Sequence, residues 1–413
     1  MTKPRAGLYL VLALASLGSC LLNEPEPEPV PQLAPDPEFR IGVRINASKV
    51  TFGAFTGLRV IDLDEGIVEE VDPDVSLEAS TRGSDVVVRG TTTPVVRRTL
   101  VLEPQDSNGT IRIDGREYRG RVELRRSESG LTVINRIGLE QYLEGVVGAE
   151  MGRRAPGEEE ALKAQAVVSR TYALRNKGRW LAQGFDLMAD VSAQAYAGLL
   201  NENPMATAAV EATRGLILTY NGEPIEAFYS STCGGRTEDG SAAFGGADEP
   251  YLKSFADVDE NGTAWCAISP RYQWREQWEG RAFTASLRKT LATERLSTAR
   301  ASDLREMRVL SRTGSGRIAT LELSGAGGRT TVSGQAIRRV LSPPAGGWLR
   351  STDFTVRLSR QGSRIESVVI EGRGNGHGVG MCQWGAVGRA RAGHHYDAIL
   401  MSYFPGTELR RNY

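Results

Sequence analysis

Short runs of alternating apolar and polar residues dominate the chain after residue 38. Between Phe39 and about Gly120 they read FRIGVRI, LRVIDL, DVVVR and IRIDG, and Gly, Pro and acidic pairs separate them. Alternation with a period of two places apolar side chains on one face of a strand, and the separating residues favour turns. The pattern predicts a small β-rich N-terminal module over 39–120, in which no residues form a recognisable catalytic group.

Beyond residue 120 the pattern changes from strand to helix. Two strands are predicted in 121–137, on either side of a turn at 127–130, and a short helix in 139–151. A longer helix is expected to include Pro156 in its first turn, where proline is tolerated. One face of that helix carries mainly small and apolar residues, namely Leu162, Gln165, Ala166, Ser169 and Tyr172. Basic residues occupy the rest of the helix, namely Lys163, Arg170, Arg175 and Lys177.

The remaining elements follow in mixed order. A third helix is predicted from Asn203-Pro204 to Gly215, and Asn221-Gly222 marks a hairpin between 216–220 and 224–230. The pattern then predicts a helix at 283–291, a strand meander in 307–332, a short helix at 335–341 and a hairpin in 354–370. Helices and strands do not alternate as βαβ units, so we expect an α+β fold.

The first twenty residues have the pattern of an export signal. Lys3 and Arg5 precede an apolar run from Leu8 to Leu17, which is too short to span a bilayer. The run ends in Leu-Gly-Ser-Cys, which resembles the lipobox of bacterial lipoproteins. We predict a lipoprotein signal peptide over 1–20, lipidation of Cys20, and a protein that is exported and lipid-anchored in the bacterial cell envelope.

The segment after Cys20 has the composition of a linker. Residues 23–38 read NEPEPEPVPQLAPDPE, with six Pro and five acidic residues. Such a composition favours extended polyproline II structure and cannot bury a core. We therefore predict a tether over 21–38 that lets the following domains reach a large, fixed target.

Overall composition narrows the possible functions. The 413 residues include 50 basic and 50 acidic side chains, so the formal net charge is zero. This balance gives no basic surface field, and we predict no nucleic-acid partner. Three His limit the options for a zinc enzyme, and four Cys are too few for a small disulfide scaffold, so apolar burial must stabilise the fold.

The densest motif is a glycine-rich segment at 371–386, which reads EGRGNGHGVGMCQWGA. Alternating glycines are unfavourable in a packed strand, and they indicate a backbone that bends sharply or approaches a partner closely. Their amide groups are expected to be exposed to a polar ligand. The segment is not a nucleotide loop, because neither Gly-Lys-Ser/Thr nor the G-x-G-x-x-G spacing is present.

Several segments resemble, in order, the motifs of the SpoIID/LytB family of bacterial cell-wall proteins. These segments are YLEGVVGAEM, EALKAQAVVSRTYAL, STCGGRTE, GHGVGMCQWGA and YFPGTEL. The resemblance covers roughly 121–409 and implies a mixed α+β SpoIID-like domain over 121–413. It also implies peptidoglycan as the substrate, with the glycan strands as the binding partner.

The resemblance implies a specific reaction. Stage II sporulation protein D is a lytic transglycosylase that cleaves glycan strands already free of stem peptides and leaves a 1,6-anhydromuramyl end. The acid of its Glu-Met motif falls here on Glu150. A lytic transglycosylase needs no water, because a hydroxyl of the sugar attacks the anomeric carbon, so one carboxyl suffices. By itself a Glu at a helix end is usually solvated or ion-paired. Glu144 and Glu238 are weaker candidates for the acid, and they are interpreted as surface or structural carboxylates.

Other matched residues are assigned supporting roles as hypotheses. Arg236 and Thr237 are expected to bind sugar oxygens, and Gln383 to hydrogen-bond the sugar. Trp384 either stacks on a pyranose face or packs in the core. His377 either orients the substrate or Glu150, or is a structural donor.

The cysteines depart from the family pattern. Cys233 and Cys382 stand where many relatives carry Ser, and Cys266 is a third internal thiol. Some relatives bind zinc through His and Cys near this loop, but Ser230 occupies the position of that His. No cofactor is required for the proposed reaction. Three interpretations of the thiols remain: a disulfide with one thiol left over, free thiols, or a structural zinc site formed by the three Cys with His377.

Two functions rival that of a lytic transglycosylase. The first is that of a non-catalytic activator or scaffold of a cell-wall amidase, as the amidase-enhancer branch of the family implies. A Cys/His hydrolase using Cys233 or Cys382 with His377 is a further alternative. The predicted partners are therefore peptidoglycan glycan strands, a cell-wall amidase and the membrane through the lipid anchor.

Overall fold

Alternating apolar residues near the start of the folded part of the chain form strands that build two packed sheets. The computed structural model describes residues 1–2, 35–190, 193–296, 304–325, 327–362 and 364–413. All helices and strands given below lie within the compact unit Asp36–Tyr413. Cys20, nearly all of the predicted signal peptide and most of the tether fall outside the described residues, and these assignments stay predictions. In the described ranges no helix is long and apolar enough to cross a membrane.

The strands of the first half are short and closely spaced. They are β1 (Glu38–Ala47), β2 (Lys49–Gly53), β3 (Leu58–Asp62), β4 (Gly66–Val71), β5 (Leu77–Arg82), β6 (Asp85–Arg89), β7 (Val95–Arg97), β8 (Thr99–Pro104), β9 (Ile111–Ile113), β10 (Arg116–Tyr118), β11 (Arg121–Arg126), β12 (Leu131–Gly138) and β13 (Leu187–Met188). A seven-stranded sheet has the order β13-β1-β12-β11-β8-β3-β4, and a six-stranded sheet has the order β10-β9-β2-β5-β6-β7. The two sheets pack on each other and share one apolar core.

The seven-stranded sheet contains strands from both sides of residue 120. Strand β1 pairs antiparallel with β12, where Phe39 lies opposite Ile137, and it pairs in parallel with β13. Both Phe39 and Ile137 belong to the core. The β-rich character of 39–120 is confirmed by the strands, and the domain boundary at residue 120 stays a prediction.

The helices form a layer that follows directly from β12. They are α1 (Leu139–Met151), α2 (Glu159–Arg175), α3 (Pro204–Ala212), α4 (Gly240–Phe244), α5 (Gly280–Thr293), α6 (Ala336–Val340), α7 (Gln383–Arg391) and α8 (Tyr396–Tyr403). Helix α2 lies in the middle and contacts α1, α3, α7 and α8. Together with the strands these helices give the predicted α+β fold.

The central helix differs from its prediction in two respects. Pro156 was expected in the first turn of the helix, but it lies in a turn before α2. The helix begins at Glu159, and Glu158 is its N-cap residue. The predicted stripe of Leu162, Gln165, Ala166, Ser169 and Tyr172 is buried as expected. Arg170, which the pattern placed outside that stripe, is also fully buried, because other helices and β14 (Leu216–Tyr220) surround α2.

The second half contains small sheets. Its strands after β14 are β15 (Glu223–Pro224), β16 (Tyr229–Ser230), β17 (Gln273–Glu279), β18 (Leu304–Arg312), β19 (Ile318–Gly325), β20 (Gly328–Ser333), β21 (Phe354–Gln361), β22 (Arg364–Arg373), β23 (Met381–Cys382) and β24 (Glu408–Arg411). The predicted hairpin at Asn221-Gly222 is present, and both turn residues have positive φ. Its second strand is shorter than predicted, because Tyr229–Ser230 leaves the hairpin and pairs in parallel with Met381–Cys382.

The part of the chain from β17 to β22 has its own cluster of buried apolar side chains. Two three-stranded sheets, β17-β22-β21 and β18-β19-β20, pack with α5 and α6 around it. Gln273 pairs with Arg373, so the chain enters and leaves this region at adjacent positions. The region is therefore an insertion within the helical part of the chain.

Candidate functional site

A partly buried carboxyl at the end of α1 is held by three neutral donors. Glu150 Oε1 accepts hydrogen bonds from the Ala195 backbone N–H at 3.0 Å and from the Tyr229 hydroxyl at 3.1 Å. Glu150 Oε2 accepts one from Gln383 Nε2 at 3.2 Å. The side chain is thus fixed in orientation while remaining partly accessible to solvent.

The surroundings favour the protonated form of this carboxyl. Burial raises the pKa of Glu150, and the hydrogen bonds from Ala195, Gln383 and Tyr229 lower it by less. A carboxyl with a raised pKa keeps its proton at higher pH than an exposed Glu does. Glu150 therefore has the property that a general acid requires.

The parallel pairing of β16 with β23 assembles the site. It places Tyr229, at the start of β16, and Gln383, directly after β23, within reach of α1. Gln383 Nε2 also donates to Gln165 Oε1 at 3.3 Å, and Gln165 Nε2 donates to Ser169 Oγ at 2.9 Å. Gln165 and Ser169, both buried on α2, thus orient the Gln383 amide toward Glu150.

The glycines of the 371–386 segment permit this pairing. Gly376 and Gly380 have positive φ. A Cβ added to Gly380 would lie 2.0 Å from the Phe228 carbonyl oxygen, so the close approach predicted from the sequence is confirmed. The expectation of free amides is wrong for several of these glycines. Gly374 N–H donates to Tyr272 O, Gly376 N–H to Arg350 O, Gly378 N–H to Ser230 Oγ and Gly385 N–H to Cys382 Sγ.

Two residues that contact Glu150, Tyr229 and Ala195, are not predicted by the sequence motifs. Tyr229 lies two residues before the STCGGRTE motif, and this position is the one sequence signal that points to it. Ala195 contributes a backbone N–H, which no side-chain pattern reveals. Gln194 supports Tyr229, since its Nε2 lies within hydrogen-bond distance of the Tyr229 hydroxyl and of Ser169 O.

Trp384 lies next to Gln383 and is half-buried. The Arg154 guanidinium covers its ring at 4.7 Å from the ring centre, and Arg154 Nε also donates to Met151 O at the end of α1. A sugar that stacks on this face of Trp384 would have to displace Arg154.

Arg236 and Thr237 lie in the loop after β16 and differ in exposure. Thr237 is buried, and its hydroxyl accepts a hydrogen bond from the Phe255 N–H at 2.9 Å. The Arg236 side chain is exposed, and its carbonyl oxygen accepts a hydrogen bond from Arg317 Nη2 at 3.0 Å. Sugar binding by these two residues stays a prediction, and the exposed Arg236 is the better placed of the two for it.

His377 is held as a neutral structural acceptor. Its Nδ1 accepts a hydrogen bond from the Val379 N–H at 3.1 Å, and its ring meets the edges of Phe228 and Phe244. Burial and the nearby Arg338 and Arg317 lower the pKa of His377 to about 3. His377 is not part of the cysteine cluster described next.

Three cysteines distant in sequence meet in the interior. The sulfurs of Cys233, Cys266 and Cys382 all lie within 4.8 Å of one another, and all three residues are buried and free. The Cys233 and Cys266 sulfurs are 3.6 Å apart. Three close sulfurs are a suitable ligand set for a metal ion, and the disulfide expected as one alternative is not formed in the structure.

Comparisons with known proteins agree with this architecture. The family model "Stage II sporulation protein" (SpoIID) matches residues 127–220, and a second model, a domain of unknown function (DUF8618), matches residues 263–380. The first match covers β12, α1, α2, α3 and β14, which include Glu150, and the second covers the insertion. Glu150 therefore lies in the segment that the SpoIID model matches, whereas its partners Tyr229 and Gln383 lie outside that segment.

Individual relatives show the family. The chain is 32% identical over 291 residues to stage II sporulation protein D of Bacillus subtilis, covering 67% of this chain and 75% of that protein. It is 30% identical over 319 residues to an uncharacterised protein of Brachyspira hyodysenteriae, with 76% and 77% covered. It is 29% identical over 344 residues to the amidase enhancer of B. subtilis, where the match covers 75% of this chain but 46% of the relative. The chain belongs to the SpoIID/LytB family.

Proposed function

We propose that the protein is a lytic transglycosylase that cleaves peptidoglycan glycan strands free of stem peptides, with Glu150 as the general acid. The observation that carries the proposal is the environment of Glu150: a partly accessible carboxyl whose pKa is raised by burial and whose three hydrogen-bond partners are neutral. Membership of the SpoIID/LytB family supports the choice of substrate.

The proposed reaction uses one carboxyl twice. Glu150 donates its proton to the glycosidic oxygen as the bond from that oxygen to the anomeric carbon breaks. The C6 hydroxyl of the same muramyl residue forms the new bond to the anomeric carbon, and the Glu150 carboxylate accepts the hydroxyl proton. The product carries a 1,6-anhydro ring, no water is consumed, and Glu150 ends the cycle protonated.

Product analysis tests this proposal. Purified protein is incubated with peptidoglycan from which an amidase has removed the stem peptides, and the soluble fragments are analysed by mass spectrometry. Fragments with anhydromuramyl ends support the proposal. Fragments one water heavier indicate hydrolysis, and either these or the absence of fragments contradicts it.

The pH dependence of cleavage should follow the protonation of Glu150. Because burial raises the pKa of Glu150, we expect the rate to be highest below that pKa and to fall as the pH rises through it. Gln383 donates to the carboxylate and lowers the pKa, so Gln383→Leu should move the alkaline limb of the pH–rate profile to higher pH. Gln141→Leu is the control, because Gln141 is an exposed residue on α1, the helix that carries Glu150. This change should leave the alkaline limb at the same pH. A limb that stays or moves to lower pH in Gln383→Leu contradicts the assignment.

Activation of a cell-wall amidase is the second candidate function, and the similarity to a relative named amidase enhancer favours it. Adding the protein to a purified wall amidase and measuring stem-peptide release tests this function. Faster release in the presence of a protein that forms no anhydromuramyl ends supports activation and excludes catalysis by this chain. Unchanged release contradicts activation.

We also propose that the protein is exported and anchored by a lipid on Cys20, as the residues that precede Cys20 suggest. In a bacterial host grown with a labelled fatty acid, we expect the wild-type chain to carry the label and to fractionate with membranes. Cys20→Ala should lose the label, and Cys233→Ala should keep it because Cys233 is an internal, buried thiol. A wild-type chain without label contradicts the anchor.

A further inference from the structure

We propose that Cys233, Cys266 and Cys382 bind one zinc ion, and that this ion fixes the segment that carries Gln383 beside Glu150. Zinc binding stands on the geometry of the cysteine cluster alone. Only the effect on glycan cleavage depends on the function proposed above.

The spacing of the three sulfurs fits one ion. They come from three separate segments: the loop after β16, the short 3₁₀ helix Trp265–Ile268, and the end of β23. A tetrahedral zinc ion with zinc–sulfur bonds of about 2.3 Å keeps its sulfur ligands about 3.8 Å apart. The Cys233 and Cys266 sulfurs are separated by 3.6 Å, and every pair lies within 4.8 Å.

Backbone amides point at the Cys382 sulfur as they do in metal–thiolate sites. Cys382 Sγ accepts hydrogen bonds from Cys233 N–H at 3.1 Å and from Gly385 N–H at 3.3 Å. Hydrogen bonds of this type stabilise negative charge on sulfur and orient the ligand.

One carboxyl and one guanidinium lie directly behind the cluster, those of Asp257 and Arg389. Three thiolates and one zinc ion leave a single negative charge. Cys233 Sγ lies 3.3 Å from Asp257 Oδ2, and the buried Asp257 is paired with Arg389 at 3.0 Å. Cys233 must lose its proton to bind zinc, and Asp257, which accepts the hydrogen bond of this thiol, can take up that proton. Arg389 then lies beside the site as the counter-charge to its single negative charge.

A metal ion accounts for all three sulfurs, whereas a disulfide uses two and leaves the third as a buried free thiol. The ligand set also differs from the four-ligand site considered from the sequence, because His377 lies outside the cluster. It differs from the His and Cys site of some relatives, since Ser230 replaces that His and two sulfurs come from residues 266 and 382.

The ion would act on the Glu150 site through α7. Cys382 is the cap residue of α7, and its sulfur accepts the Gly385 N–H in the first turn. The next residue, Gln383, donates to Glu150 Oε2. Fixing the Cys382 sulfur therefore fixes the start of the helix from which Gln383 reaches the carboxyl, and Cys382 is a positioning residue.

Metal content is the first test. Full-length protein purified without chelators is analysed by mass spectrometry of its metals, and we expect about one zinc ion per chain. Cys266→Ser and Cys382→Ser should lose most of the zinc, while Cys20→Ser, which removes the remaining cysteine, should keep it. Wild-type protein with zinc near zero overturns the proposal, whether its thiols are free or a mass loss of two hydrogens shows a disulfide.

A second measurement uses only the wild-type chain, so its outcome does not depend on whether the Cys variants fold. The wild-type chain is treated with a strong chelator and its thiols are titrated while circular dichroism monitors the fold. We expect three further thiols to become reactive, and added Co²⁺ to give a thiolate-to-metal charge-transfer band. Absence of that band in a folded chain overturns the site.

The positioning role has its own readout. Protein that has lost its zinc to a chelator but is still folded should show the same shift of the alkaline limb of the pH–rate profile to higher pH as Gln383→Leu does. Adding zinc back should reverse this shift. If the protein binds zinc but its pH–rate profile does not change when the zinc is removed, the positioning role is refuted and the zinc site is still supported. A chain that binds zinc and cleaves no glycan refutes the proposed function instead.

Discussion

Glu150→Gln should lower the rate of anhydromuramyl release by about 10²- to 10⁴-fold, the contribution typical of a positioned general acid. The amide has nearly the shape of the carboxyl and can still accept hydrogen bonds from Ala195 N–H and the Tyr229 hydroxyl through its oxygen. It cannot donate an acidic proton to the leaving oxygen. We therefore expect a loss of turnover with little change in the unfolding transition, measured by fragment release and by thermal unfolding of the same samples.

Glu144→Gln is the matched control for this experiment. Glu144 lies on the same helix, is partly buried, and has a pKa that burial raises, as it does that of Glu150. It makes no contact with Tyr229 or Gln383 in the described hydrogen bonds. Full activity in Glu144→Gln with loss in Glu150→Gln assigns the effect to the acid itself. Wild-type turnover in Glu150→Gln would refute Glu150 as the catalytic residue.

The candidate site was predictable where a motif carries the side chain and unpredictable where the backbone supplies the contact. Glu150 and Gln383 belong to two recognisable motifs, and the structure brings them together. The Ala195 N–H and the Tyr229 hydroxyl depend on which segments meet in space. The parallel pair of β16 and β23 decides this, and two strands of two residues leave almost no periodic pattern in the sequence.

The fold shows the same division between local and distant interactions. The helix at 139–151 and the two strands before it match the expected bounds closely, because spacing and turn residues act over a few positions. The pairing of β1 with β12 joins residues about 100 positions apart, and no local pattern specifies such a partner. Arg170 was assigned to the polar side of α2 because amphipathic patterns assume one buried face, whereas α2 is surrounded.

Arg170→Met should destabilise the protein by about 3–5 kcal/mol, because it leaves a buried carboxylate without its partner. Arg170 Nε and Nη2 donate to the two carboxylate oxygens of Glu140 at 2.8 and 2.7 Å. Arg170 Nη1 also donates to Leu216 O at 3.1 Å, and Glu140 accepts from Gly215 N–H and the Tyr413 hydroxyl. The pair joins α2 to the start of α1, the helix that carries Glu150 in its last turn, so the stability of the site depends on this pair.

Arg175→Met is the control, because Arg175 lies on the same helix and pairs with Glu226 at the surface, at 3.3 Å. A surface pair contributes about 0–1 kcal/mol, so its removal should barely change the free energy of unfolding in denaturant. The double variant Glu140→Gln with Arg170→Met should recover part of the loss, since it removes the unpaired charge as well. Equal destabilisation by Arg170→Met and Arg175→Met would show that burial of the ion pair does not govern its contribution, and that α1 is held in place by apolar packing alone.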